Sequence, residues 1–328
     1  MEAGGRTMIF EKQILKIYKS IAYTRCDDQG TARYFSAADF PGLVAEPYPF
    51  LSDQGVKLQG YLYHYETPIP GRIVVFEHGF FGGHRSYMRE IEMLCRHGYL
   101  VFAYDHTGCM ESRGTDPNGM AQSLSDLDDC IKMIKADDRF AGLDISVVGH
   151  SWGGFSTMNI AALHPEISHL VVMSGFVSVE MLVGSIFKGI LKFYKKAVMR
   201  LETESNPFYV HFNGVTSLKE TRGQVLLVYS ADDPMCKKDP HYDALYAGLS
   251  GMENVEFLLV EGKGHNPNYT ADAVAYLGEY GREKGQAIKA KALNTPEEKA
   301  VFVERFDWRR MTEQDEEVWN KIFETLEK

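Results

Sequence analysis

A chain of 328 residues with 45% apolar side chains can bury a substantial core. A net charge of −10, with no long block of lysine and arginine, argues against nucleic acid or an anionic membrane surface as the main partner. The five cysteines (Cys26, Cys95, Cys109, Cys130 and Cys236) are scattered and show no Cys-x-x-Cys spacing, which argues against a disulfide framework or a zinc site.

In chain order, Met1 to Ser20 has no apolar run of signal-peptide length, because Lys12 and Lys16 interrupt it. No stretch approaches a transmembrane span, so a reduced, cytoplasmic setting is expected. Residues 1–48 read as an N-terminal extension. In it Ile9-Phe10, Ile14-Leu15 and Ile17-Tyr18 predict one amphipathic helix, followed by loop at 27–30 and 40–42. Two strand-like runs flank Asp53-Gln54-Gly55, a hairpin signal. Strands are then expected at 72–77, 99–105, 145–148, 169–174, 225–229 and 255–260, with helices near 86–97, 121–137 and 155–163 between them. Short continuous β-branched runs are what strands buried on both faces look like, and strand–helix alternation predicts a doubly wound, mostly parallel sheet.

The core so defined is 49–174 plus 223–284. Between them, 175–222 is an insertion. Its apolar positions Val179, Leu182, Val183, Ile186, Phe187, Ile190, Leu191 and Tyr194 step by three and four and predict a long amphipathic helix. Residues 285–328 form a C-terminal extension with helix starts at Thr295-Pro296-Glu297-Glu298 and Thr312-Glu313-Gln314-Asp315. Its apolar side, including Phe302, Trp308, Trp319 and Phe323, packs on the domain or on a second subunit of a homo-oligomer. The sequence does not choose.

The chemistry is carried by Val147-Val148-Gly149-His150-Ser151-Trp152-Gly153-Gly154, a strand ending in Gly-x-Ser-x-Gly with a helix after it. That context lifts the Ser151 hydroxyl to the carboxyl edge of a sheet. Upstream, a strand runs into His78-Gly79-Phe80. Downstream, one strand ends in Ser230-Ala231-Asp232-Asp233-Pro234 and the next runs to Gly264-His265. Serine, acid and histidine each follow a strand, in the order of an α/β-hydrolase triad.

Over roughly residues 50 to 285 the chain resembles the α/β-hydrolase superfamily, in particular its serine aminopeptidase and monoacylglycerol-lipase-like esterase branch. The resemblance implies an α/β-hydrolase fold with a helical cap in the 175–222 insertion. It implies Ser151 as nucleophile, His265 as base and Asp233 as the acid, since the acid in the related pattern stands directly before the proline. A shift of one position would give that role to Asp232. The oxyanion hole would be the backbone N–H groups of Phe80 and Trp152, with His78 as a structural anchor. Asp105 to Gly114 resembles the Asp-x-x-Gly-x-Gly-x-Ser-x-Gly loop of lipase and lysophospholipase relatives, with Met110 where a glycine is frequent. The elbow is similar to that of proline iminopeptidases, but His78-Gly79-Phe80-Phe81-Gly82 departs from their His-Gly-Gly-Pro-Gly.

The function expected is a serine hydrolase cleaving a small-molecule carboxylic ester or acyl substrate, with no cofactor and no metal. Aminopeptidase or thioesterase activity, or a non-catalytic binding protein of the same fold, are the alternatives. Phe187, Phe193, Tyr194 and Met199 of the insertion are expected to line an apolar pocket.

Overall fold

The computed structural model describes residues 10–328. Ile9, the first apolar position predicted for the opening helix, lies outside the described residues, as does the start of the stretch read for a signal peptide. Chain order begins with α1 (Glu11–Ala22), β1 (Val44–Pro47), the short pair β2 (Phe50–Leu51) and β3 (Lys57–Leu58), β4 (Gly60–His64) and β5 (Arg72–Glu77). It continues through α2 (Met88–Arg96), β6 (Leu100–Tyr104), α3 (Gln122–Ala136), β7 (Asp144–His150), α4 (Trp152–Asn159) and β8 (His169–Met173). The 175–222 segment holds α5 (Val179–Ile186), α6 (Lys195–Ser205) and α7 (Gly214–Ser217). The chain then runs through β9 (Gln224–Ser230), α8 (Asp243–Leu249), β10 (Val255–Val260), α9 (Ala271–Lys289), α10 (Pro296–Glu304), α11 (Trp308–Met311) and α12 (Glu316–Leu326).

Eight strands form one sheet in the order β1-β4-β6-β5-β7-β8-β9-β10. β4 pairs antiparallel with both β1 and β6, and the six strands from β6 to β10 in that order pair in parallel. The Asp-Gln-Gly hairpin forms as expected, pairing Phe50 with Leu58, but as a separate two-stranded ribbon. The sheet itself starts earlier, inside the segment read as an extension. β1 is an edge strand with all four residues exposed, so it carries none of the alternation that betrays a half-buried strand.

Alternation along the central strands feeds two cores. Ile73 and Val75 join α3, α4 and α8 on one face, while Val74 and Phe76 join α2 and the C-terminal helices on the other. α12 packs Trp319, Ile322 and Leu326 into that second core beside Leu226 and Val228, so the C-terminal extension completes its own domain. Each such side chain contributes about 2 kcal/mol by burial. The helix starts are chemically fixed. Thr295 and Glu298 form a capping box, and Asp315, not Thr312, accepts the N–H groups of Glu317 and Val318.

The single long helix predicted over 179–194 is broken. α5 stops at Ile186, and a 3-10 stretch from Gly189 to Tyr194 leads into α6. The break falls at Phe187 (ψ 75) and Lys188 (φ −99, ψ 167), whose non-helical backbone a spacing pattern does not report.

α1 packs against α6 through one buried carboxylate. Glu202 accepts hydrogen bonds from the hydroxyls of Tyr18 (2.7 Å) and Tyr23 (3.2 Å) and from the backbone N–H of Met120 (2.8 Å). Burial raises the Glu202 pKa despite those donors. No helix among the described residues is long and apolar enough to cross a membrane.

Candidate active site

Ser151 sits between β7 and α4 at φ 57, ψ −110, a backbone conformation that L-residues rarely hold. Two glycines make this turn physically feasible. A Cβ at Gly153 would stand 2.2 Å from the Glu77 carbonyl oxygen, and one at Gly149 2.3 Å from the Thr157 hydroxyl. α4 therefore starts hard against the end of β5, with Ser151 raised above the sheet.

The loops after β9 and β10 bring two further side chains to it. His265 Nε2 lies 2.8 Å from Ser151 Oγ, and His265 Nδ1 lies 2.8 Å from Asp233 Oδ2. The carboxylate accepts the Nδ1–H, which leaves the Nε2 lone pair for the serine proton. Asp233 is buried and its Oδ1 also accepts the Met235 and Cys236 N–H groups. Burial alone would raise its pKa. The hydrogen bond and charge of His265, with the Met235 N–H, outweigh this and hold the carboxyl below its ordinary range. Asp232 turns elsewhere, accepting the Ser230 hydroxyl and the Gly264 N–H, so it ties the two loops together.

Phe80 and Trp152 both line the cavity beside Ser151, with rings 4.9 Å apart. Among the described residues neither backbone N–H has a backbone acceptor. Trp152 also has a side-chain role that the sequence does not signal. Its indole N–H donates to the Met120 carbonyl at 2.7 Å, and Met120 in turn is held by Glu202. His78 is an anchor. Its Nε2 accepts the His106 N–H at 3.0 Å and its Nδ1 faces the Gly79 carbonyl at 2.8 Å. Met110, where relatives carry glycine, sits at φ 40, which explains the glycine preference there.

Tyr87 and His150 complete the site and were missed by motif reasoning. The Gly79 N–H donates to the Tyr87 oxygen (3.1 Å), the Tyr87 hydroxyl donates to His150 Nδ1 (2.8 Å), and His150 Nε2–H donates to the His265 carbonyl (2.7 Å). One chain of donors thus joins the Phe80 loop to the His265 loop. His150 is visible as the second letter of Gly-x-Ser-x-Gly, but its partner Tyr87 lies 63 positions away.

Burial, then the neighbouring His265, lowers the His150 pKa to about 3. An unfolded histidine titrates near about 6.5. Between those values the unfolded chain binds the proton and the folded chain does not, so this contribution is full above pH 6.5 and is lost as pH falls toward 3. Between pH 7 and pH 5 the native chain should lose about 2 kcal/mol more than His150→Gln. Urea unfolding of both at the two pH values checks this, and parallel losses would rule it out.

Asp233, Cys236 and His265 bring donor atoms within 4.8 Å of one another, a spacing that a metal could use. Burial, with the Asp233 charge adding to it, holds the Cys236 thiol well above its ordinary pKa, and His265 Nδ1 is engaged by Asp233. The trio fits an acid–base pair better than a thiolate site.

The cavity over Ser151 has a volume of about 370 Å³, and apolar side chains dominate it, among them Ile21, Phe81, Met120, Phe176 and Leu182. Among the described residues no Asp, Glu, Lys or Arg is in its wall. The inserted segment contributes Phe176, Leu182 and Ile186, rather than the expected Phe187, Phe193, Tyr194 and Met199. Phe187 instead packs on Tyr18 at 6.4 Å, because the inward side of an apolar helix need not be the side that meets the cavity.

A mostly parallel sheet, a serine elbow and strand-exit loops that converge on it define an α/β hydrolase. Residues 68–265 match the family described as Serine aminopeptidase, S33, and the chain belongs to that family. A protein named for carbamate hydrolysis, RutD of Serratia proteamaculans (strain 568), is 27% identical over 126 residues, which are 38% of this chain and 44% of that relative. Among solved structures, the Pyrococcus furiosus esterase Pf2001 shares the fold at a TM-score of 0.57 and 19% identity, over 79% of this chain and 96% of that one. Acetyl xylan esterase 1 from Thermoanaerobacterium sp. JW/SL YS485 gives 0.54 and 16%, over 72% and 81%. Pyrococcus horikoshii acylaminoacyl peptidase gives 0.51 and 17%, over 70% and 38%.

Proposed function

We propose that the chain hydrolyses carboxylic esters of small, uncharged molecules through an acyl-enzyme. Ser151 Oγ attacks the ester carbonyl while its proton passes to His265 Nε2. The developing oxyanion is held by the Phe80 and Trp152 N–H groups. His265 then gives the proton to the departing alcohol. Water attacks the acyl group by the same route, releases the acid and restores Ser151. Asp233 keeps the imidazole in the right tautomer and stabilises its charged form. The 175–222 segment acts as a cap, supplying Phe176, Leu182 and Ile186 to the cavity. The five buried free thiols fit a reducing, cytoplasmic setting.

The observation that carries this reading is the serine–histidine–aspartate chain of 2.8 Å contacts opening onto an apolar cavity. Aminopeptidase action is the second reading, favoured by the family description. It would call for a carboxylate to hold the substrate's ammonium group, and the described residues of the cavity wall offer none. The test is turnover of a p-nitrophenyl ester series from acetate to long chain beside amino-acid p-nitroanilides, with fluorophosphonate labelling of Ser151. Ester turnover that favours chains longer than acetate, with prompt labelling, is expected. Faster turnover of anilides than of esters would transfer the assignment to the peptidase reading. A folded protein inert to ester, anilide and fluorophosphonate alike would be a binding protein.

A further inference from the structure

The opening of the cavity is ringed by apolar side chains that water already reaches. Ile21, Phe81, Ile186 and Met235 line the cavity and are nonetheless exposed, Phe81 by 62% and Ile186 by 55%. The apolar surface continues from there in two directions. Along α1, Ile17 and Ile21 stand four apart and exposed, with Phe10 exposed at the N-cap and Ile14 half-buried against the core. Tyr18 and Ala22, on another side of the same helix, are buried. Beyond α5, Ile190, Leu191 and Phe193 are exposed, Ile190 by 81%. The two stretches are neighbours, since the Tyr18 and Phe187 rings stand 6.4 Å apart. Single exposed apolar residues are ordinary, but a ring of them around one opening is not.

The charge of this rim opposes that of the molecule. In a chain of net charge −10, residues 11–22 and 186–200 together hold Lys12, Lys16, Lys19, Lys188, Lys192, Lys195, Lys196 and Arg200 against a single acid, Glu11. Lys195 is paired with Glu180 at 2.9 Å. The other lysines of the two stretches make no ion pair among the described residues. Apolar side chains interleaved with lysine are the composition of surfaces that lie in a headgroup layer. Two copies of so cationic a face would repel each other, which disfavours a second copy of this chain as the occupant.

We propose that the rim formed by α1 and residues 186–193 docks on an anionic lipid–water interface, with the opening over Ser151 facing the lipid. Ile190 and Phe193 enter the acyl boundary, and the lysines meet the headgroups. An apolar ester would then pass from the lipid into the cavity without crossing water. This rests on the proposed function only in that the docked face is the entrance to Ser151.

Vesicle flotation of the full chain carrying Ser151→Ala reads docking without turnover. Phosphatidylcholine vesicles with about one third phosphatidylglycerol should carry the protein at low salt and release it at about 0.5 M salt. Pure phosphatidylcholine should carry much less. Lys188→Gln and Lys192→Gln should each weaken binding about fivefold. Ile190→Glu and Phe193→Glu should weaken it on the order of tenfold or more. Put instead into the Ser151 chain, Ile190→Glu should leave turnover of a short soluble ester unchanged, which separates lost docking from lost folding. No flotation, equal flotation on uncharged vesicles, or indifference to these substitutions overturns the proposal. So does a dimer that Ile190→Glu dissociates without any vesicle binding, since the face would then belong to a second copy. Flotation by a native chain that hydrolyses no ester would keep the docking surface and remove the esterase reading.

Discussion

Ser151→Ala should reduce ester turnover on the order of 10⁵-fold or more, leaving only what the oxyanion donors and binding achieve with water. The size follows from the geometry. His265 Nε2 points at Ser151 Oγ from 2.8 Å, so removing that oxygen removes both the attacking atom and the proton the base would take. Stability should be almost unaffected, because alanine at φ 57 is as strained as serine. Ser151→Gly makes the point from the other side. It should be equally inactive yet more stable by about 1 kcal/mol, since glycine adopts this conformation freely. Steady-state kinetics with urea unfolding reads both effects. An alanine variant within tenfold of native turnover would mean that another group is the nucleophile.

The second large effect separates two neighbouring aspartates. Asp233→Asn should lower kcat on the order of 10⁴-fold. An amide there offers an N–H to His265 Nδ1, which drives the ring proton to Nε2, where it blocks acceptance from Ser151. Asp232→Asn should stay within about threefold of native kcat and cost about 1 kcal/mol of stability, because that carboxylate accepts from the Ser230 hydroxyl and the Gly264 N–H rather than from His265. A reversed order of the two variants would refute the assignment of the acid.

Ser151, the Asp232-Asp233 pair and His265 are legible because each follows a strand of the sheet, buried for β7 and β9 and half-buried for β10. The choice between Asp232 and Asp233 needed hydrogen bonds, since adjacent turn residues point in different directions. Tyr87 and His150 were illegible because their relation is purely tertiary. The helix break went unread because non-helical backbone at Phe187 and Lys188 leaves an apolar spacing intact. β1 went unread for the opposite reason, having no buried face to impose a pattern. Net charge is an average over the whole chain, and it does not report that cations gather on two stretches that only the fold makes neighbours.

Glu202 has a consequence for how such a protein diversifies. It ties α1, α6 and Met120 together, and Met120 holds the Trp152 indole. Tyr18 and Ile21 lie outside the family-matched residues 68–265, yet one braces the wall of the cavity and the other forms part of it. A change in the leading helix can thus alter the cavity wall at Ile21 without touching Ser151, Asp233 or His265, whereas loss of Glu202 would release both α1 and Met120.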